Sequence, residues 1–245
     1  MKIQCVILAG GIATRMRPLT ETIPKALIPV AGRPFIDYQL TQLKQSGVTD
    51  VVLSIGYKGR MIQQLVKNGA KWGLKVEYAD EGENLLGTGG ALRLCFDKGL
   101  LDESFLVTYG DSFLPIDYSR VWFAFEAQKL PALMVVYRNS GRWDQSNVWF
   151  AEGKIHLYDK LGEFPGQRDK LQYIDYGLSA FRSKIISETI QAGSNYDLAD
   201  LFSALSRNNK LAGFEVNERF YEIGSPTGLN DLTDFLALRT PNLLS

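Results

Sequence analysis

Gln4-Cys5-Val6-Ile7-Leu8-Ala9-Gly10-Gly11-Ile12-Ala13-Thr14-Arg15 passes from an apolar run into paired glycines and then to a fixed positive charge. The run 4–8 is too short for a buried helix and reads as a buried strand; the glycines behind it turn the chain into a loop. Working outward, residues 34–45 place Phe35, Ile36, Leu40 and Leu43 at helical spacing, and Gly47 stands where a helix stops. The pattern then predicts a strand at 51–55, a helix at 59–67, a strand at 75–78, a helix at 90–96 and a strand at 104–109. Such alternation implies βαβ units, hence an α/β fold on a mostly parallel, twisted sheet with helices on both faces.

Beyond residue 130 the pattern is less regular. Strands are expected at 133–137, 147–150, 154–158, 172–181 and 211–216, with helices at 183–190, 198–206 and 226–238. No Pro/Gly/Ser-rich linker separates the halves. One domain over 1–245 is therefore expected, with the irregular half walling a pocket at the carboxyl ends of the strands.

Composition narrows the chemistry. With 27 basic and 27 acidic residues the formal charge is zero, which disfavours non-specific nucleic-acid binding. A phosphorylated small molecule remains open, because two or three placed cations suffice for one. Cys5 and Cys95 read as buried small hydrophobes rather than a disulfide or zinc framework. His156, the only histidine, is expected on a strand, so a histidine-rich metal centre cannot be assembled and only one Ser-His-Asp candidate exists. The chemistry must rest on carboxylates, Lys, Arg and backbone amides. No run approaches the roughly 20 apolar residues of a membrane span, and the first apolar run leads into glycines rather than a cleavage site. A cytoplasmic protein that binds neither membrane nor nucleic acid is the expectation; the oligomeric state is open, a homo-oligomer included.

Paired glycines let backbone N–H groups approach phosphate oxygens with no Cβ in the way. Arg15 offers a planar fork of donors and Lys25 a compact charge, together suited to a triphosphate. The loop is neither a Walker A sequence nor a dinucleotide G-x-G-x-x-G fingerprint. Its full pattern, Gly10-Gly11-x-x-Thr14-Arg15-x-x-Pro18-Leu19-Thr20 followed by Pro24-Lys25-x-Leu27-x-Pro29-Val30, resembles the signature of the sugar-phosphate nucleotidyltransferases. The likeness extends over nearly the whole chain.

The resemblance implies a Rossmann-like domain of the glycosyltransferase-A type, with a nucleotide-binding half at about 1–130 and a sugar-phosphate-binding half at about 131–245. It implies Arg15 and Lys25 as catalytic residues and Leu8, Ala9, Gly10, Gly11 and Thr14 as nucleotide-binding residues. Gly87 and Thr88 match the base-reading segment, with Glu81 or Glu83 as an acceptor for a guanine amino group. Asp111 and Glu222 would hold Mg²⁺. Asn147, Asp159, Lys160, Asp175, Tyr176 and Gly177 would line the sugar-phosphate site, and Trp143 would stack on the sugar or sit at the rim. The substrates would be a nucleoside triphosphate and a sugar 1-phosphate.

Departures from the family pattern are visible. Ala13 stands where Gly or Ser is usual, which loses easy access to positive φ. Glu222 replaces Asp, Asp159 replaces Glu, and Asp175-Tyr176-Gly177 replaces the usual Asn before Ala-Gly. The runs 86–92, 110–118 and 174–178 look most like the short heptose 1-phosphate guanylyltransferases, which use GTP to make GDP-D-glycero-α-D-manno-heptose. Mannose 1-phosphate with GTP, a hexose or amino-sugar 1-phosphate with UTP, and a silent regulatory relative are the alternatives. A glycosyltransferase would be expected to carry Asp-x-Asp, and no such triplet occurs.

Overall fold

The computed structural model describes residues 2–82, 84–139 and 141–243. Strand β1 (Gln4–Ala9) leads through the glycine loop to a small hairpin, β2 (Pro29–Val30) and β3 (Arg33–Pro34), and then to α1 (Phe35–Gln45). The alternation continues as β4 (Asp50–Ile55), α2 (Gly59–Val66), β5 (Lys75–Asp80), α3 (Gly87–Asp97) and β6 (Ser104–Tyr109). After β7 (Ser112–Phe113) come α4 (Tyr118–Glu126), β8 (Ala132–Arg138), β9 (Val148–Ala151), β10 (Lys154–Tyr158) and β11 (Tyr173–Arg182). The chain closes with α5 (Ser183–Thr189), α6 (Leu198–Arg207), β12 (Leu211–Val216), β13 (Tyr221–Glu222) and α7 (Pro226–Leu243). Helix α4 and the two-residue strands β2, β3, β7 and β13 are elements the sequence pattern did not reveal. Asp117 caps α4, accepting from the Ser119 amide at 2.9 Å, and Val121, Trp122 and Phe125 are its buried stripe.

One nine-stranded sheet, ordered β5-β4-β1-β6-β11-β8-β12-β10-β9, runs through both halves. The expected parallel pairing holds for β5, β4, β1 and β6. The other half is mixed, because β11 and β10 run against their neighbours while β8 and β12 stay parallel to each other. By these pairings seven of the nine strands share one direction. Val148 of β9 also pairs with Tyr173 of β11, so β11, β8, β12, β10 and β9 close into a ring of pairings. A hairpin, β9–β10, enters this half in place of a helical crossover, and hairpins impose antiparallel neighbours.

Period-two alternation sorts β1: Cys5 and Ile7 enter one core, Val6 the opposite one. Helices α1, α2 and α4 cover the first face, and α3, α5 and α6 the second. Cys5 and Cys95 lie buried in different cores, so burial raises both thiols, Cys95 to about 12. A third cluster joins Leu232 and Leu236 of α7 to Ile223, Phe113, Ile28 and Met16, pinning the glycine loop from behind. Among the described residues no helix is long and apolar enough to cross a membrane.

Candidate active site

Two cavities open along the carboxyl ends of β1 and β6 and share Tyr109. The smaller, of about 220 Å³, is lined by Leu8, Ala9, Gly10, Gly11, Lys25, Glu81, Gly87, Thr88 and Asp111. Every residue expected to bind nucleotide is there except Thr14, which is exposed and lines neither cavity. The larger, of about 790 Å³, contains Arg15, Asn147, Asp159, Lys160, Asp175, Tyr176, Gly177 and Glu222. The expected sugar residues therefore gather in one place, although β9, β10 and β11 supply them from distant sequence.

The smaller cavity is shaped by what is missing. A Cβ on Gly10 would sit 2.4 Å from Oε1 of Glu81, so only glycine lets that carboxylate lie against the loop. Glu81 accepts from the Leu86 amide at 3.0 Å and from Ser54 Oγ at 3.3 Å. Burial raises its carboxyl above the usual range and outweighs those two hydrogen bonds. Glu83 lies outside the described residues. Gly87 has φ +72°, and a Cβ there would lie 2.7 Å from the Tyr196 carbonyl, where the segment before α6 closes over α3. Ala13 adopts the left-handed conformation, φ 55° and ψ 49°, that its side chain disfavours. Two bonds hold it: its carbonyl accepts from Thr20 Oγ1 at 2.9 Å and from the Met16 amide at 3.1 Å. The loop keeps the glycine-like turn despite the substitution.

At the seam between the cavities, Lys25 Nζ meets Asp111 Oδ2 at 2.7 Å. Strands β7 and β13 pair Ser112 with Glu222, and the Ile223 amide donates to the Asp111 carbonyl at 2.9 Å. Asp111 and Glu222, 111 residues apart in the chain, thereby flank the same seam. Arg15 stands exposed beside them, and its guanidinium approaches to 3.4 Å the point where a Cβ on Gly224 would lie. Its neighbour Met16 is buried in the third core, which anchors the turn that presents it.

The sugar side differs from expectation in detail. Asp159 is buried, and its two oxygens accept from the Glu163 and Phe164 amides at 2.8 and 3.0 Å, so its carboxylate chiefly folds its own loop. Tyr176 packs on the rings of Tyr137 and Phe220. Asp175 is tied by its amide to Asn147 Oδ1 at 3.2 Å, and its Oδ1 accepts from the Gly177 amide at 3.0 Å. Desolvation lifts its carboxyl to about 6, against the lowering effect of that bond and of Lys160. Trp143 is a rim aromatic, 46% exposed, with one face covered by the Arg219 guanidinium at 3.5 Å from the ring centre.

Four residues around the two cavities escaped the sequence reading. Tyr109 forms the wall common to both cavities. Arg219 and its carboxylate partner Asp231 line the sugar cavity. Asp197 caps α6 through the Ala199 amide and accepts from Thr88 Oγ1 at 3.1 Å and Lys160 Nζ at 3.0 Å. It joins a residue of the smaller cavity, Thr88, to one of the larger, Lys160. Its capping position before α6 was the only signal in the sequence.

A family model described as Nucleotidyl transferase matches residues 4–237. This chain belongs to that family. The N-acetylmuramate alpha-1-phosphate uridylyltransferase of Neisseria meningitidis is 29% identical over 238 residues, covering 93% of this chain and 96% of the relative. The D-glycero-alpha-D-manno-heptose 1-phosphate guanylyltransferase of Campylobacter jejuni is 35% identical over 118 residues, 48% of this chain and 52% of the relative. The crystal structure of HddC from Yersinia pseudotuberculosis with GMP-PN matches with a TM-score of 0.75 at 24% identity, covering 96% and 99% of the two chains, which establishes the shared fold. The chain is a sugar-1-phosphate nucleotidyltransferase. Its relatives divide between guanylyl and uridylyl transfer and among mannose, heptose, glucose and N-acetylmuramate phosphates.

Proposed function

We propose that this nucleotidyltransferase transfers GMP from GTP to D-glycero-α-D-manno-heptose 1-phosphate, releasing pyrophosphate. The observation that carries the reading is the meeting of two cavities at one charged seam, Lys25–Asp111, with Arg15 and Glu222 beside it. Glu81 supports guanine, because a carboxylate inside the base cavity can accept from the ring and exocyclic N–H groups of that base. The reaction belongs where nucleoside triphosphates are made, in the cytoplasm.

A sugar phosphate is already ionised at neutral pH, its second pKa being about 6. No general base is required, consistent with a chain that has one histidine. What must be supplied is alignment of two anions and neutralisation of the leaving pyrophosphate. Backbone amides of the Gly10-Gly11 loop cradle the triphosphate, Lys25 holds it in line, and Arg15 meets the charge that develops on the leaving group. Asp111 and Glu222 suit Mg²⁺, which takes oxygen donors and accepts one or two carboxylates alongside phosphates and water. Among the described residues no cluster of three or more His, Cys, Asp or Glu exists, so the donor set is of that sparse kind. Bound there, Mg²⁺ would act as a Lewis acid on the phosphoryl oxygens.

The test is a matrix of nucleoside triphosphates against sugar 1-phosphates, read by pyrophosphate release. The heptose phosphate with GTP should give the highest kcat/KM; a higher value for any UTP pair overturns the assignment.

A further inference from the structure

Gln39 is buried on α1 and lines neither cavity. A polar side chain is an unusual choice among the buried residues Phe35, Ile36, Leu40 and Leu43 of the same helix. Its amide nitrogen donates to the carbonyls of Tyr109 and Ser112, at 2.8 Å each. Carbonyl oxygens only accept, so the nitrogen must face them, and both of its N–H groups are spent there. The amide oxygen is left buried with no hydrogen-bond partner. An unpaired buried acceptor costs free energy that an apolar side chain would not incur. What the glutamine provides in return is a grip on both ends of one short turn.

That turn is Tyr109-Gly110-Asp111-Ser112. Its other contacts are equally close. The Gly110 amide donates to the Leu8 carbonyl at 2.8 Å, and a Cβ on Gly110 would lie 2.8 Å from the Ala9 Cβ. The Ile223 amide donates to the Asp111 carbonyl at 2.9 Å, and Ser112 pairs with Glu222 across β7 and β13. Gln39 thus ties the residue that enters the turn to the residue that lies opposite Glu222. The Asp111 carboxylate is left for Lys25, at 2.7 Å, and Ser112 Oγ, at 3.4 Å.

The same helix supplies a control. Gln42, three residues on, donates through its amide to the Ile116 carbonyl at 2.8 Å. Ile116 lines neither cavity. The two glutamines make bonds of one kind and differ in what those bonds hold.

We infer that Gln39 is a positioning residue for nucleotidyl transfer, its side-chain amide setting the Tyr109–Ser112 turn that carries Asp111 and pairs with Glu222. The inference rests on Asp111 and Glu222 as the Mg²⁺ carboxylates, and on the identity of neither the base nor the sugar. Groups that hold a metal ligand in place typically cost about 10- to 100-fold in metal affinity or activity when removed.

The experiment compares wild type, Q39M, Q42M and D111N. It reads hydrogen exchange at the Gly110 and Ile223 amides, Mn²⁺ affinity by electron paramagnetic resonance with GTP and with UTP present, and the Mg²⁺ concentration giving half-maximal pyrophosphate release. The release assay uses whichever substrate pair the matrix shows to be fastest. In Q39M both amides should exchange about tenfold faster, the scale of one lost hydrogen bond. Mn²⁺ affinity should fall, and the half-saturating Mg²⁺ rise, by about tenfold. Q42M should leave all three readouts at wild-type values, although it too loses an amide–carbonyl bond. Q39N keeps the amide but withdraws it by one methylene; it should move the readouts in the same direction and serves if Q39M folds poorly. Equal shifts in Q39M and Q42M would mark a general loss of stability and overturn the inference. A shifted D111N beside an unshifted Q39M overturns the role of Gln39 alone. An unshifted D111N overturns the metal reading, and the hold of Gln39 on the turn then stands or falls on the exchange rates.

Discussion

The two cavities of this enzyme are built on opposite principles. The nucleotide side is made of backbone and small residues: Gly10 gives way to Glu81, and Gly87 fits under the Tyr196 carbonyl. The larger cavity is lined by long side chains that hold one another: Arg219 against Trp143 and Tyr221, Lys160 on Asp197, Asp159 on its own loop. At Gly87 the obstacle is a backbone carbonyl, which no rotamer change moves aside; at Gly10 it is the end of the Glu81 side chain, which would have to leave its hydrogen bonds to Leu86 and Ser54. A surface of side chains can be rebuilt one residue at a time. The loop behind β1 keeps the family pattern apart from Ala13, whereas the other substitutions from that pattern, Asp159, Asp175 and Glu222, gather in the larger cavity.

The sharpest way to break this contrast is at the seam itself. Arg15→Ala and Lys25→Ala should each lower kcat by about 10²-fold or more, the scale of losing a preorganised charge in the transition state. Unchanged pyrophosphate release in both would remove them from the chemistry. Next comes Gly87→Ala, which combines a positive φ with overlap against a carbonyl and should cost about 2 kcal/mol or more in denaturant unfolding. A neutral outcome would show that the nucleotide wall is not shaped by backbone contact.

On the sugar side the expected effect is smaller and depends on pH. Asp175 has a folded pKa of about 6, raised by desolvation above its unfolded value. The folded state therefore binds the proton more tightly than the unfolded chain, and this group's contribution falls as pH rises from about 4 to about 6. Asp175→Asn keeps an oxygen for the Gly177 amide and removes the charge. It should stabilise the protein by about 1 kcal/mol at pH 7.5 and by almost nothing at pH 4. Equal melting shifts at both pH values would refute the buried-charge account. Smallest is Ala13→Gly, where relief of the left-handed alanine is partly cancelled by added backbone entropy in the unfolded chain. A gain of about 0.5 kcal/mol is expected, and a loss would mean that the alanine methyl is itself packed.

Much of this was legible from residues alone. Strands β6, β10 and β12 begin and end where the apolar pattern put them. Elsewhere boundaries moved by one to a few residues, α3 starting at Gly87 rather than at residue 90 because Gly87-Thr88-Gly89 lie over the segment before α6. Helix α4 went unread because its four buried positions follow an irregular stretch and lack a clear stop. The residues of the glycine loop, Leu8 to Gly11, were readable because they are contiguous, so their mutual placement is fixed by one turn. Arg219, Asp231 and Asp197 were not, because each matters through a partner far away in the chain.

The sequence by itself determined the parallel core, the glycine turn behind β1 and a chemistry limited by a single histidine, since all three follow from short-range pattern and from which side chains exist at all. Only the tertiary structure decided that the carboxyl half closes as a mixed ring of strands, that Asp111 and Glu222 flank one seam, and that Arg219 meets Trp143, Tyr221 and Asp231 in the larger cavity. Those arrangements depend on which strands pair and on which side chains then meet. Strand pairing is a long-range choice that no local spacing encodes.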